Sequence, residues 1–149
     1  MGEERITVVL RQRADYCFDN DFGPGIAPLV SDEPAPLGGG QGPSPVQLLC
    51  AAVGNCLSDS LLFALRKFKQ PPEPLGCTVE AEVGRNAEGR LRVLAINVQL
   101  RLGVPAARLA HLERVLGQFE AFCTVTQSVG QAIPISTEVV DADGMRLTA

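Results

Sequence analysis

Five cysteines (17, 50, 56, 77 and 123) and one histidine (His111) are the residues of this 149-residue chain best suited to covalent or metal chemistry. A thiolate is both a strong nucleophile and a soft metal ligand. No two cysteines stand in a Cys-x-x-Cys arrangement and there is one His, so no zinc site is expected. Cys56 and Cys123 are distinguished by position. Cys56 shares an apolar stripe with Leu49, Val53, Ser60, Ala64 and Phe68, at helical spacing. Cys123 extends a second stripe of Leu109, Leu112, Leu116 and Phe119. If both segments are long helices packed face to face, both stripes point inward and the two sulfurs approach. The competing explanation is that both are core cysteines, because free Cys is among the most buried residue types. Periodicity leaves the two explanations open. The run Cys123-Thr124-Val125-Thr126 also reads as the start of a new short helix. There the positive end of the helix dipole would lower the thiol pKa and favour disulfide exchange.

The other candidates carry less. Cys50 precedes Cys56 by six residues, roughly 240° around a helix and about 9 Å along it, so these two cannot bond. Cys17 and Cys77 lie in strand-like runs and read as packing residues. His111 falls off the Leu109–Leu112–Leu116 stripe and is expected on the surface, a poor base or ligand. No paired carboxylates and no Ser-His-Asp spacing occur. The Gly-rich stretch Leu37 to Pro45 lacks the Gly-Lys-Ser/Thr ending of a phosphate loop and leads into a helix through Pro, which has no N–H to offer. It reads as a flexible crossing, or as a lid over a site near Cys56.

The elements that must position these residues follow from periodicity. Ile6, Val8 and Leu10 alternate with Thr7, Val9 and Arg11, which predicts a strand. Tyr16 to Phe22 alternates again, predicting a hairpin, and Ile26 to Val30 is a possible third strand. Ser31 to Ser44 holds three Pro and four Gly and reads as a loop. Ser44-Pro45-Val46-Gln47 then has the form of a capping box, with Ser44 as N-cap, Pro45 at N1 and Gln47 at N3. The helix it opens runs to about Lys69, before Pro71, Pro72 and Pro74. Strands follow at about Cys77–Val83 and Leu91–Leu102, the second with Leu94, Ile96, Val98 and Leu100 on one face. Pro105 opens a second helix, and Ile133 to Val140 is the last strand. The order β-β-(β)-α-β-β-α-β predicts an α+β fold of antiparallel sheets and helices. There are no repeats and no linker, so residues 1–149 are expected to form one domain.

Bulk properties narrow the function classes. Hydrophobic residues make up 46% and charged residues 20%, as in an ordinary globular domain. The net charge of −4 gives no basic footprint for nucleic acid. The charged N-terminus has no apolar signal segment, and no run of about 18 apolar residues is evident, so no membrane partner is expected. A cytoplasmic protein with mostly reduced cysteines is the expectation.

The segments Asp32-Glu33-Pro34, Leu37-Gly38-Gly39 and Gly42 through Cys56 (GPSPVQLLCAAVGNC) resemble the start of the first helix in OsmC/Ohr proteins. Cys123-Thr124-Val125-Thr126, followed by Ile133-Pro134-Ile135, resembles their second cysteine motif. The Asp-Glu-Pro and Gly-Pro-Ser-Pro stretches look most like the OsmC-like branch. The resemblance implies antiparallel sheets wrapped around two long central helices in an intertwined homodimer. It implies a thiol peroxidase in oxidative stress defence, with Cys56 attacking an organic hydroperoxide and Cys123 resolving the sulfenic acid. An external dithiol would be the reductant, and no cofactor would be needed. Gln47, Phe63, Phe119 and Phe122 are candidates to line the substrate pocket. Three positions depart from the family pattern. Val46 stands where a Glu is usual, Thr124 where a Pro is usual, and no Arg or Lys occurs between Ala14 and Cys56. The alternatives are a non-catalytic scaffold that holds a small hydrophobic ligand and a stoichiometric thiol redox sensor.

Overall fold

The computed structural model describes residues 2–147, a mixed α+β chain with two three-stranded sheets. It divides into two compact units, residues 1–48 and 49–149.

In the first unit, β1 (Val9–Ala14) pairs antiparallel with β2 (Cys17–Asp21), which pairs antiparallel with β3 (Leu29–Ser31). The predicted hairpin is present, turning at Asp15 with φ 53°. Ile6 and Val8 lie outside the hydrogen-bonded ladder, whose first strand residue is Val9. The Gly-rich crossing after β3 is tied down. Buried Asp32 accepts hydrogen bonds from the N–H groups of Glu33 (2.8 Å), Gly39 (3.2 Å) and Gln41 (3.2 Å). A Cβ at Gly38 would lie 2.5 Å from the Asp32 carboxylate, so the loop folds over Asp32 only because position 38 has no side chain. The capping box also forms: Gln47 N–H donates to Ser44 Oγ at 3.3 Å, and Ser44 N–H donates to Gln47 Oε1 at 2.9 Å.

Helix α1 spans Pro45–Lys67. In the second unit its fully buried line is Val53, Leu57, Leu61 and Leu65, all at 0% exposure. Each such side chain contributes on the order of 1.5–3 kcal/mol of burial. The Cys56–Ser60–Ala64–Phe68 stripe runs beside this line and is half-buried. By length and composition α1 would suffice to cross a membrane, contrary to the expectation that no segment is so apolar. Part of that apolarity serves the core, where the four residues above cluster with Ile96, Val98, Leu100 and Val139.

The second sheet comprises β4 (Gly76–Arg85), β5 (Leu91–Arg101) and β6 (Ile135–Val140), in the order β4-β5-β6. Ile96, Val98 and Leu100 face the core as alternation predicts. Leu94 does not. A bulge sets Glu82 opposite Ala95 but Val83 opposite Val93, leaving Leu94 unpaired and 46% exposed. One extra residue reverses the phase of every side chain beyond it. The pairing of β5 with β6 is parallel, so this sheet is mixed rather than antiparallel. Parallel neighbours need a long crossover, and residues 102–134 supply it.

That crossover corrects the second helix. It is a 3-10 turn (Ala106–Arg108), a short helix α2 (Leu112–Leu116), another 3-10 turn (Phe119–Phe122) and a six-residue helix α3 (Thr124–Val129). His111 stands at φ 60° before α2, and Cys123 is extended (φ −82°, ψ 99°) before α3; neither continues a helix. The described residues therefore hold one long helix, not two.

Candidate functional site

Cys56 lies at the middle of α1, one position from the buried Leu57, and is half-buried. Cys123 is the N-cap of α3 and is fully buried. The α3 start predicted at Cys123-Thr124 is present. The break before α3 matters to Cys56. The Val125 N–H, which has no helical carbonyl to bond, donates to Cys56 Sγ at 3.4 Å. Cys56 is also close enough to Cys123 to influence its titration. Cys123 Sγ also lies 2.9 Å from the hydroxyl oxygen of buried Thr126. Both sulfurs thus bond to groups in the first turn of α3, Cys123 to Thr126 and Cys56 to Val125.

The expected fall in the Cys123 pKa is not found. Burial pushes this thiol up, and the neighbouring Cys56 pushes the same way, while Thr126 pulls it partly down. A fully buried sulfur is desolvated more strongly than one short helix can offset. Cys123 is thus a protonated thiol at neutral pH, and its S–H donates to Thr126 Oγ1.

A cavity of about 430 Å³ opens along the same stripe. Phe63, Phe119 and Phe122 line it, as does the continuation of the Cys56 stripe through Ser60, Ala64 and Phe68. Ser60 is one helical turn from Cys56, and Phe122 immediately precedes Cys123. Lys67 and Arg114 bring positive charge to the cavity and Asp59 negative charge. The Arg114 guanidinium sits 5.5 Å from the centre of the Phe68 ring, and exposed His111 stacks on the same ring at 5.0 Å. Gln47 does not join this lining, because its side chain is committed to the capping box.

The remaining cysteines stand apart from this pair. Cys50 and Cys77 line a separate groove beside Gly54. Cys77 is exposed, and partial desolvation of its thiol raises its pKa, with Ser58 opposing. Sequence reasoning missed Thr126 and the Val125 amide. The three-residue step from Cys123 to Thr126 is the available signal, since a side chain at an N-cap meets the third residue of its helix.

The α+β chain, with one long helix and two three-stranded sheets among its described residues, matches a known family. A family model described as OsmC-like protein matches residues 38–138. The chain belongs to the OsmC-like protein family. An OsmC-like protein from Vibrio cholerae has 15% identity and a TM-score of 0.77, over 93% of this chain and 100% of that one. An organic hydroperoxide resistance protein OsmC from Legionella pneumophila has 16% identity and a TM-score of 0.66, over 92% and 98%. The organic hydroperoxide resistance protein OhrB of Bacillus subtilis has 13% identity and a TM-score of 0.68, over 91% and 98%. These similarities establish the fold. No curated protein sequence matches the chain.

Proposed function

We propose that the protein is a cytoplasmic thiol peroxidase that reduces organic hydroperoxides, with Cys56 as the attacking thiol and Cys123 as the resolving thiol. The observation that carries this reading is the Val125 N–H, two residues past Cys123 at the start of α3, donating to Cys56 Sγ at 3.4 Å. In the first step the Cys56 sulfur attacks the terminal peroxide oxygen and the O–O bond breaks. This yields a Cys56 sulfenic acid and an alcohol. Cys123 sulfur then attacks Cys56 sulfur; the S–O bond breaks, and the oxygen leaves as water with the Cys123 proton. An external dithiol reduces the resulting disulfide by exchange. The aromatic cavity supports an apolar organic group on the hydroperoxide, and the hydroperoxide-resistance proteins of like fold support the reaction class. A homodimer belongs to the same proposal.

The test is a thiol map by mass spectrometry of the fully reduced protein after one equivalent of cumene hydroperoxide. A selective Cys56–Cys123 disulfide is expected, with Cys56→Ser abolishing turnover and Cys123→Ser halting at the sulfenic acid. Turnover unchanged in both variants would refute the assignment. One oxidation per subunit without dithiol-supported turnover would identify a stoichiometric sensor instead.

The cavity favours a second reading, a scaffold that holds a small hydrophobic ligand against Phe63, Phe119 and Phe122. Native mass spectrometry with hydrophobic ligands distinguishes it, because binding would then persist in Cys56→Ser without any thiol chemistry.

A further inference from the structure

The 430 Å³ cavity has two unlike ends. Helix α1 and the crossover run antiparallel along it. The Arg114 guanidinium meets the Phe68 ring at 5.5 Å, and the Val125 N–H meets Cys56 Sγ at 3.4 Å. On α1, Lys67 lies eight residues beyond Asp59 and eleven beyond Cys56, about 12 Å and 16 Å at the helical rise. Lys67 and Arg114 therefore stand at the end remote from the thiols, and Asp59 stands toward the thiols. Neither cationic side chain has an ion pair or a hydrogen bond among the described residues. Two unpaired like charges at one end of an apolar cavity make a local positive field, here on a chain of net charge −4. Between the ends the walls are apolar. Phe63 and Phe122 edge the cavity while 75% and 77% exposed, aromatic surface that an apolar occupant would cover. The volume lies within the range of about 300–1,000 Å³ usual for small-molecule sites.

We propose that Lys67 and Arg114 make this cavity a directional site for an anionic amphiphile, whose charged head they hold and whose apolar body lies between Phe63 and Phe122. This rests on the cavity being a ligand site, the second reading above, and adds the head group and the direction of binding. It requires no reaction at either cysteine. The Arg114 guanidinium can take a carboxylate on two N–H groups, and the Lys67 ammonium adds a point charge. Asp59 sets the direction, because an anionic head at the thiol end would meet a carboxylate of like charge. The charged end of the occupant is thus turned away from Cys56 and its apolar end toward it.

The test is a fluorescence titration of the reduced protein with dansylaminoundecanoic acid and with its methyl ester. The two probes share one body and differ in the charge of the head, and neither is a peroxide. The acid should bind about tenfold tighter than the ester at low salt, the scale of two exposed charge contacts. Added salt should shrink that preference and leave the ester alone. Lys67→Gln combined with Arg114→Gln should bring the acid to the affinity of the ester. Unchanged ester binding in this variant shows that its cavity is intact. Arg114→Lys keeps the charge and should keep most of the preference. Asp59→Asn should change the affinity for the acid less than twofold, because the head lies at the other end. Equal binding of acid and ester by the wild type, or a preference that survives loss of both cations, overturns the head-group assignment while the cavity remains a ligand site. A tenfold gain for the acid in Asp59→Asn would place the head at the thiol end and overturn the direction. Binding of neither probe would overturn this inference and the ligand-site reading together.

Discussion

Gly54 offers a sharp test of how α1 meets the second sheet. It is buried in mid-helix, where Gly→Ala ordinarily stabilises by about 1 kcal/mol. Here a Cβ would lie 2.7 Å from Val79 Cγ2 and 3.3 Å from Cys77 Sγ, both on β4. Val79 is β-branched, with little χ1 freedom, and its backbone is held in the β4–β5 ladder, so it cannot swing aside. Overpacking of this kind costs about 1–3 kcal/mol. Set against the propensity gain, Gly54→Ala should be destabilising by up to about 2 kcal/mol, lowering Tm by up to roughly 8 °C for a chain of this length. Calorimetry on the single variant, Val79→Ala and the double variant measures this directly. Trimming Val79 opens the space the new methyl needs, so the double variant should be more stable than the two single losses predict, by about 1 kcal/mol or more. Cys56 lies roughly 200° around the helix from Gly54, so Cys56–Cys123 closure should keep its rate. A higher Tm for Gly54→Ala, or strictly additive losses with Val79→Ala, would refute the close seating of β4 on α1.

Two further predictions concern buried carboxylates. Asp141 is fully buried and accepts N–H bonds from Ala106, Asp143 and Met145, each at 2.9 Å. The Ala106 bond contributes most to holding its pKa below the usual carboxylate range. A depressed folded pKa adds stability above about pH 4 that is lost as pH falls through the folded value. Acid unfolding followed by circular dichroism should therefore show Asp141→Asn less stable at pH 6, with its curve converging on the wild type at the acid end; a constant offset at every pH would count against the carboxylate. Asp32→Ala removes the acceptor of three loop N–H groups, so thermolysin cleavage near Leu37 should rise about tenfold through local opening. An unchanged cleavage rate would mean the loop is held by other contacts.

What is legible in the sequence is local. Ser44 and Gln47 announce the start of α1 because a capping box is a short-range pattern, and Ile96, Val98 and Leu100 show their face because strand alternation is local too. The Leu94 bulge is not legible, since an unpaired residue is defined by the partner strand. The parallel direction of β6 is hidden for the same reason, although a helical crossover between β5 and β6 is the arrangement that permits it. The candidate pocket residues divide along this line. Phe63, Phe119 and Phe122 line one cavity, whereas Gln47 has a local role that the capping pattern already explains. Asp32 stands within a recognisable motif, but its function as a clasp depends on N–H groups up to nine residues away.

The least legible element is also the one the proposed chemistry depends on. The stripe from Leu109 to Cys123 satisfies helical spacing, and an unbroken helix through it would commit the Val125 N–H to the carbonyl four residues earlier. That carbonyl belongs to Ala121, in the 3-10 turn. Because Cys123 is extended and the helix restarts at Thr124, the first N–H groups of α3 have no helical partner. One of them, that of Val125, reaches Cys56 Sγ, and the same restart brings the Thr126 hydroxyl to Cys123. Where the family pattern would supply Glu and Arg, this chain has Val46 and no Arg or Lys from Asp15 to Cys56. The hydrogen bonds at its thiol pair come instead from a break in the backbone, which no side-chain motif records.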